Sequence, residues 1–503
     1  MLSTIMGLFS LKVLIPWILA MIFGIFVGAT PGLTATMAVA LLIPITYYAD
    51  PRAAFAMILG VSFTAIFAGD IPATFLRIPG TPASGAAVLD GFEMNKKGKG
   101  ALALSVDLLG SALGGLLGMF MLILVAPFLA RFALKFTNFE YFWLGVFGLS
   151  MTAILSRGKI VNGFISAVIG IAISTIGIDI TTGYPRFTFG NTNLIGGISF
   201  IPVMIGLFGL SEILKNLIKK EELGAPTIEG FGKLPLLEAM KTIWNYRVRV
   251  LISSTIGLFT GALPGAGADI AAWVSYGAAK STSKNRNEIG TGHIEGVIAP
   301  TCANNAAIGG TWIPAFVFGI PGDTITAIVL GAMLMYGLRP GPNIFSESRN
   351  LMNSIFAIGI ISQIFLIPLG FLGIRASGQL LKLPKNIIWI GVVFFSIIGS
   401  YAINSNVFDI YVMLLAGLVG FFLEKLDVPL APLILGLILG PMVEDNLRVG
   451  LIKTGGNFWP FITRPISLSI IVVVFLVLFG VNIISFILRF FKGKNNESNK
   501  SIS

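Results

Sequence analysis

Two short stretches carry the residue types from which an ion or anion site inside a membrane is built: Gly261-Ala-Leu-Pro-Gly-Ala-Gly-Ala-Asp269 and Ile320-Pro-Gly-Asp-Thr324. Both interrupt sequence apolar enough to run on as uninterrupted helix. A break ends one half-helix and starts another, leaving unpaired N–H groups and a positive dipole end at the start of the second. Glycine lets the backbone approach a ligand closely, and proline removes a donor and fixes the turn. Two such ends turned toward each other suit an anion, and a carboxylate fits. Asp269 and Asp323 sit on these breaks, where an ionisable group is expensive. Each could carry a coupling proton, ligate a cation, or simply cap the helix that follows.

The same signatures occur earlier in the chain and in the same order. Gly28-Ala-x-Pro-Gly-x-x-Ala35 recurs as Gly261-Ala-x-Pro-Gly-x-x-Ala268, and Ile71-Pro-Ala-x-x-x-x-Ile-Pro-Gly80 as Ile313-Pro-Ala-x-x-x-x-Ile-Pro-Gly322. The separations differ by nine residues, which the polar segment Lys280 to Glu288 absorbs. An internal repeat of interrupted hydrophobic segments is how many secondary transporters build a substrate site. The substrate-binding candidates are therefore Thr30, Pro31, Gly32 and Thr34 on the first break, and Pro79, Gly80 and Thr81 on the second. Pro264, Gly265 and Gly267 follow on the third, and Pro321, Gly322 and Thr324 on the fourth, with Asn304 and Asn305 in the run between them. Arg77 is expected to pair with a substrate carboxylate or with Asp70, the internal pair being favoured. Asp70, Asp269 and Asp323 are the ion-coupling candidates. Threonine hydroxyls and asparagine amides offer oxygen to sodium, although any one threonine in a helix more often bonds its own backbone.

These breaks need helices to hold them. The chain of 503 residues is 55% hydrophobic and 11% charged, which indicates a polytopic membrane protein. Apolar runs of about 20 residues, enough to cross about 30 Å of hydrocarbon, recur about ten to twelve times. The expected fold is all-α, with broken or re-entrant helical hairpins and two repeats in inverted orientation. Val13 to Ala29 and the short run after it form a re-entrant hairpin or two tilted spans, and Met1 to Ala29 reads as mature helix and not as a cleaved signal. Residues 1–218 form the first half, 219–249 a cytoplasmic connection by the positive-inside rule, 250–490 the second half with additional spans, and 491–503 a basic cytoplasmic tail. The net charge of +11 sits mainly in loops and tail, where lipid headgroups explain it better than nucleic acid. One cysteine, Cys302, and one histidine, His293, exclude an internal disulfide and a histidine-rich metal site, and no cofactor is expected beyond sodium as a coupling ion.

Pro31-Gly-Leu33, Ile78-Pro-Gly-Thr81, Leu89-Asp-Gly91, Leu263-Pro-Gly-Ala-Gly-Ala268, Glu295-Gly-Val-Ile-Ala-Pro300, Ala303-Asn-Asn-Ala306, Gly319-Ile-Pro-Gly322 and Gly337-Leu-Arg-Pro-Gly-Pro342 together resemble the large membrane subunit of tripartite tricarboxylate transporters. The likeness covers essentially the whole chain. It implies an inner-membrane permease importing di- or tricarboxylates on a proton or sodium gradient, partnered by a small membrane subunit and a periplasmic solute-binding protein. The chain departs from the family pattern at Pro300-Thr-Cys302, Arg77 and Asp323, which alters the charge set near the breaks. A channel would favour rings of like charge around one pore. An intramembrane aspartyl enzyme would need Asp269 and Asp323 face to face. The paired breaks favour the transporter.

Overall fold

The computed structural model describes residues 6–154, 160–179, 182–218, 234–380, 385–476 and 478, so most of the polar connection after residue 218 and the basic tail lie outside the described residues. Among the described residues the architecture is all-helical apart from a two-residue antiparallel pair, Gly177–Ile178 with Pro185–Arg186. Among the described residues, seven helices are long and apolar enough to cross a membrane, and five shorter apolar helices accompany them.

The first break is flanked by α1 (Leu11–Ala29) and α2 (Ala35–Thr46), followed by α3 (Pro51–Ala68) and α4 (Asp70–Leu76). Asp50 starts α3 by accepting from the Arg52 N–H at 2.9 Å, with Pro51 in the first turn where its missing donor costs nothing. Helix α1 crosses α3 through glycines one turn apart: a Cβ at Gly24 would lie 2.8 Å from the Val61 carbonyl, and one at Gly28 would collide with the Ala65 carbonyl. Such small-residue faces let helix backbones touch. Residues Pro51–Leu76 are shielded from the surroundings over their whole apolar window.

Next come α5 (Ala87–Lys96), α6 (Gly100–Ala133), α7 (Asn138–Ile154), α8 (Ile160–Ser174) and α9 (Phe200–Ile218), the last with a π turn over Ile205–Leu210. Inside the polar connection, Leu236–Asn245 is itself a helix, α10, whose Ala239 and Ile243 pack with Val106 of α6 and Ile298.

The second pair of breaks lies among α11 (Arg247–Gly261), α12 (Gly267–Thr282), α13 (Glu295–Phe318) and α14 (Thr324–Met335). Helix α11 crosses α13 as α1 crosses α3, with Gly257 against the Ala303 carbonyl and Gly261 against the Ala307 carbonyl. Two clasps fix one end of this unit. Asp90 accepts from the N–H groups of Gly290 at 2.9 Å, Gly292 at 2.7 Å and His293 at 2.8 Å, and from the Tyr276 hydroxyl at 2.9 Å. Arg249 donates to Glu295 at 2.5 Å and to Thr282 at 3.1 Å, while Ser283 donates to Glu295 at 2.5 Å. The termini of α11 and α12 that lie away from their break therefore share that end. At the other end of the molecule Tyr336, just past α14, donates to the Thr46 carbonyl at the close of α2. Among the helices that follow, α15 (Arg349–Leu380) packs on α1, α3 and α6, α16 (Lys385–Asn404) and α17 (Val407–Lys425) pack on each other and on α9, and α18 (Leu430–Lys453) packs on α7 and α8. The loop between α8 and α9 is held to α18 by Arg186 on Glu444 at 2.6 Å and Arg448 on Asp179 at 2.6 Å.

Candidate functional site

Each break resolves into a helix end and a helix start. Helix α1 ends at Ala29, Gly32 turns the chain at φ 92°, and Thr34 caps α2 by accepting from the Met37 N–H at 3.1 Å. In the later break Gly265 takes φ 82°, its N–H donates to the Gly322 carbonyl at 2.7 Å, and α12 begins at Gly267. Helix α13 closes with Gly319 at φ 69°, and the Ile320 N–H reaches back to the Pro314 carbonyl at 3.3 Å. Asp323 then opens α14 as a capping box, its carboxylate accepting from the Thr326 N–H at 2.7 Å and the Thr326 hydroxyl accepting from the Asp323 N–H at 2.9 Å. The corresponding early segment joins Thr81 to Ser84 through their hydroxyls at 2.8 Å.

The starts of α2, α12 and α14 face a cavity of about 930 Å³. Of the expected binding residues, Thr34, Thr81, Gly265, Gly267 and Thr324 line it, as do Asp269 and Asp323. Thr36 of α2 and Thr324 of α14 meet across it, hydroxyl to hydroxyl at 2.9 Å. The other predicted residues stand behind the wall. Thr30 donates to its own helix at Phe26, and Gly32 offers its carbonyl to Asn216 at 3.3 Å. Pro31 is half-buried beside it, Pro79 is exposed, and Gly80, Pro264, Pro321 and Gly322 are buried turn residues outside the lining. Asn304 and Asn305 are fully buried inside α13.

One expectation is overturned. Arg77 does not pair with Asp70: it is exposed, at φ 60°, with its guanidinium 5.6 Å from the centre of the Phe92 ring. Helix α4 stops at Leu76, and the Ile78 N–H closes back on the Pro72 carbonyl at 3.4 Å, so the residue between them occupies a left-handed turn that turns away from the buried Asp70. Gly319 fills the matching turn after α13. Arg77→Gly therefore relieves a strained conformation worth about 1 kcal/mol; we expect unchanged or slightly raised thermal stability and undiminished carboxylate uptake, and a large loss of uptake would restore a substrate-binding role.

Sequence reasoning missed several charged residues. Glu212 and Lys215 of α9 and Glu424 and Asp427 near the end of α17 also line the cavity, with Lys215 bonded to Glu212 at 2.8 Å and to Glu424 at 3.1 Å. Asp107 of α6 lies beside Asp70, both fully buried. Its position within the apolar run Ala101 to Ala130 was the available signal, by the same cost argument that picked out Asp269.

Residues 14–435 match the family described as the tripartite tricarboxylate transporter TctA family. The chain belongs to that family. It is similar to an uncharacterised 52.8 kDa protein from the TAR-I ttuC′ 3′ region of Agrobacterium vitis, 36% identical over 451 residues, 90% of this chain and 89% of that protein. An uncharacterised protein from the TAR-II ttuC′ 3′ region of the same organism is 37% identical over 215 residues, 43% of this chain and 89% of its own. No solved structure matches. Membership of the TctA family makes the chain a multi-pass membrane transporter of the tricarboxylate class and not an enzyme, so the aspartyl-hydrolase reading falls.

Proposed function

We propose that this chain is the permease subunit of a tripartite system in the inner membrane, importing a di- or tricarboxylate together with protons or sodium ions and binding it in the cavity between the broken helices. The observation that carries this reading is the convergence of three helix starts, those of α2, α12 and α14, on one cavity whose lining includes threonines and charged side chains. The cavity's side chains set the need for cations. Among the described lining residues, Glu212, Asp269, Asp323, Glu424 and Asp427 outnumber the one basic residue, Lys215, so a multiply charged anion enters more easily when positive charge travels with it.

The repeat and its inversion are part of the proposal. Two sets of contacts support them: Gly24 on Val61 and Gly28 on Ala65 in the first half correspond, residue for residue in the aligned motifs, to Gly257 on Ala303 and Gly261 on Ala307 in the second. The first hairpin, α1 and α2, has its open side at the Thr46 and Tyr336 end, while the second, α11 and α12, has its open side at the Arg249 and Thr282 end. Hairpins entering from opposite faces and meeting at their tips fit a site near the bilayer midplane. A small membrane subunit and a periplasmic binding protein complete the system by family.

The test is uptake of labelled citrate and tartrate by proteoliposomes holding the full chain with its small subunit and loaded binding protein, under imposed sodium or proton gradients. Gradient-dependent accumulation is expected. Downhill flux indifferent to every gradient, or unitary currents, would replace the reading with a channel.

A further inference from the structure

Behind the cavity wall lies a buried polar cluster whose two acids do not line the cavity. Asp70, at the start of α4, and Asp107, in α6, are each 1% exposed and stand side by side. Ser84 and Asn304 adjoin Asp70, and Ser111 adjoins Asp107; all three are fully buried. Ser84, Asn304 and Ser111 lie within reach of the carboxylates, but no hydrogen bond of full geometry joins any of the four carboxylate oxygens, the Ser111 hydroxyl or the Asn304 amide nitrogen to a partner. Among the described residues no lysine, arginine or histidine pairs with either acid; Cys302, buried beside Asp107, is the other ionisable neighbour.

Two adjacent carboxylates in a dry interior cannot both stay ionised without positive charge between or beside them. The neighbouring hydroxyls stand close to the carboxylates without forming well-aligned hydrogen bonds to them. That leaves oxygen lone pairs from Ser84 and Ser111 free to join the carboxylates around a hard cation, whose preference is for oxygen ligands. A link to the cavity exists as well. Thr81 lines the cavity and bonds Ser84 at 2.8 Å, and Ser84 adjoins Asp70, so a change in the cluster reaches the wall in two side chains.

We propose that Asp70 and Asp107, with Ser84 and Ser111, bind a sodium ion, and that this is the coupling ion of the transport reaction. The proposal rests on the cation-coupled reading above and deepens it by naming the site. Asp269 and Asp323 then serve the cavity wall and the start of α14.

Sodium binding by the purified full-length chain is the direct test. Its melting temperature is compared in sodium chloride and in choline chloride at equal ionic strength, and affinity is measured by calorimetric titration with sodium chloride, all without substrate. Saturating sodium should raise the melting temperature by about 3–5 °C. Asp107→Asn and Asp70→Asn should remove that shift, and the exposed control Glu347→Gln should keep it. If neither aspartate variant folds, Ser111→Ala decides: at least tenfold weaker sodium affinity supports the site, and unchanged affinity overturns it. No sodium response in the wild type, a response retained in Asp107→Asn, or stabilisation by calcium or magnesium in place of sodium each overturns the proposal. Since binding is read without transport, its absence removes this site only, whereas absence of uptake in the reconstituted system removes the transport reading.

Discussion

Gly80→Ala and Gly322→Ala are each expected to abolish carboxylate uptake while the chain still reaches the membrane. At Gly322 an added methyl carbon would lie 2.6 Å from the Thr311 Cα and 2.7 Å from the Gly261 carbonyl oxygen. At Gly80 it would lie 2.7 Å from the Gly69 Cα and collide with the Gly28 carbonyl. These neighbours are backbone atoms of the crossing helices, so no side-chain rotation makes room. Overpacking of this kind costs about 1–3 kcal/mol, and here relief requires the tip of a hairpin to move away from the cavity. A displaced helix start weakens binding roughly 30- to 100-fold, the equivalent of about 2–3 kcal/mol. Gly265→Val joins them for a different reason, since a β-branched residue at φ 82° is strongly strained. Initial uptake rates in proteoliposomes, normalised to inserted protein, check all three. Wild-type rates in Gly80→Ala and Gly322→Ala would show that the tips do not need to touch.

The second large effect falls on folding. Asp90→Ala should lower stability by about 4 kcal/mol, seen as a fall in melting temperature in detergent and in the yield of membrane-inserted protein. Its carboxylate, itself buried, holds three backbone N–H groups of the loop before α13 together with the buried Tyr276 hydroxyl, and removing it takes the shared acceptor from all four donors, so the exposed and half-buried loop is no longer tied to the helices. Asp90→Glu should fail almost as badly. The Asp90 Cγ would lie 2.5 Å from a Cβ placed on Gly296, so the acid is already pressed against the α13 backbone and a longer one has nowhere to go. Tyr276→Phe removes a single bond and should cost about 1–2 kcal/mol. An unchanged melting temperature in Asp90→Ala would mean that the loop is held by something else.

The parts of the site that could be read from sequence are those where the backbone dictates the residue. Gly32 and Gly265 sit at left-handed turns, and Gly80 and Gly322 touch other backbones, so each requirement leaves glycine in the same place in both signatures, whereas the left-handed turn of Gly319 is filled by Arg77 in the first. Thr34 and Asp323 announce helix starts for an equally local reason. Arg77 was misread because the direction of a side chain at a helix end depends on where the helix stops. That was decided by the backward bond to Pro72 and could not be inferred from the spacing to Asp70. Asp107 acquires its meaning only when α6 crosses α3 and α13, and Lys215 only when α9 meets α17, contacts between segments far apart in sequence. The count of spans was hard to read for a related reason: several runs are too short to cross alone and are helical because they are buried in other helices.

Burial of Pro51–Leu76 within the fold bears on how the protein is made. A segment with no lipid-facing side that carries Asp70 gains little from leaving the insertion channel by itself. Its greasy character is directed at neighbouring helices that include α15, synthesised some 300 residues later by the ribosome, as the Trp17 indole bonded to Ser362 also shows for α1. The innermost helices must therefore wait, half-satisfied, beside the channel or under a membrane chaperone until the outer ones arrive. Chains truncated before α15 should remain cross-linked to that machinery and be degraded, whereas chains that extend through α15 should be released from it.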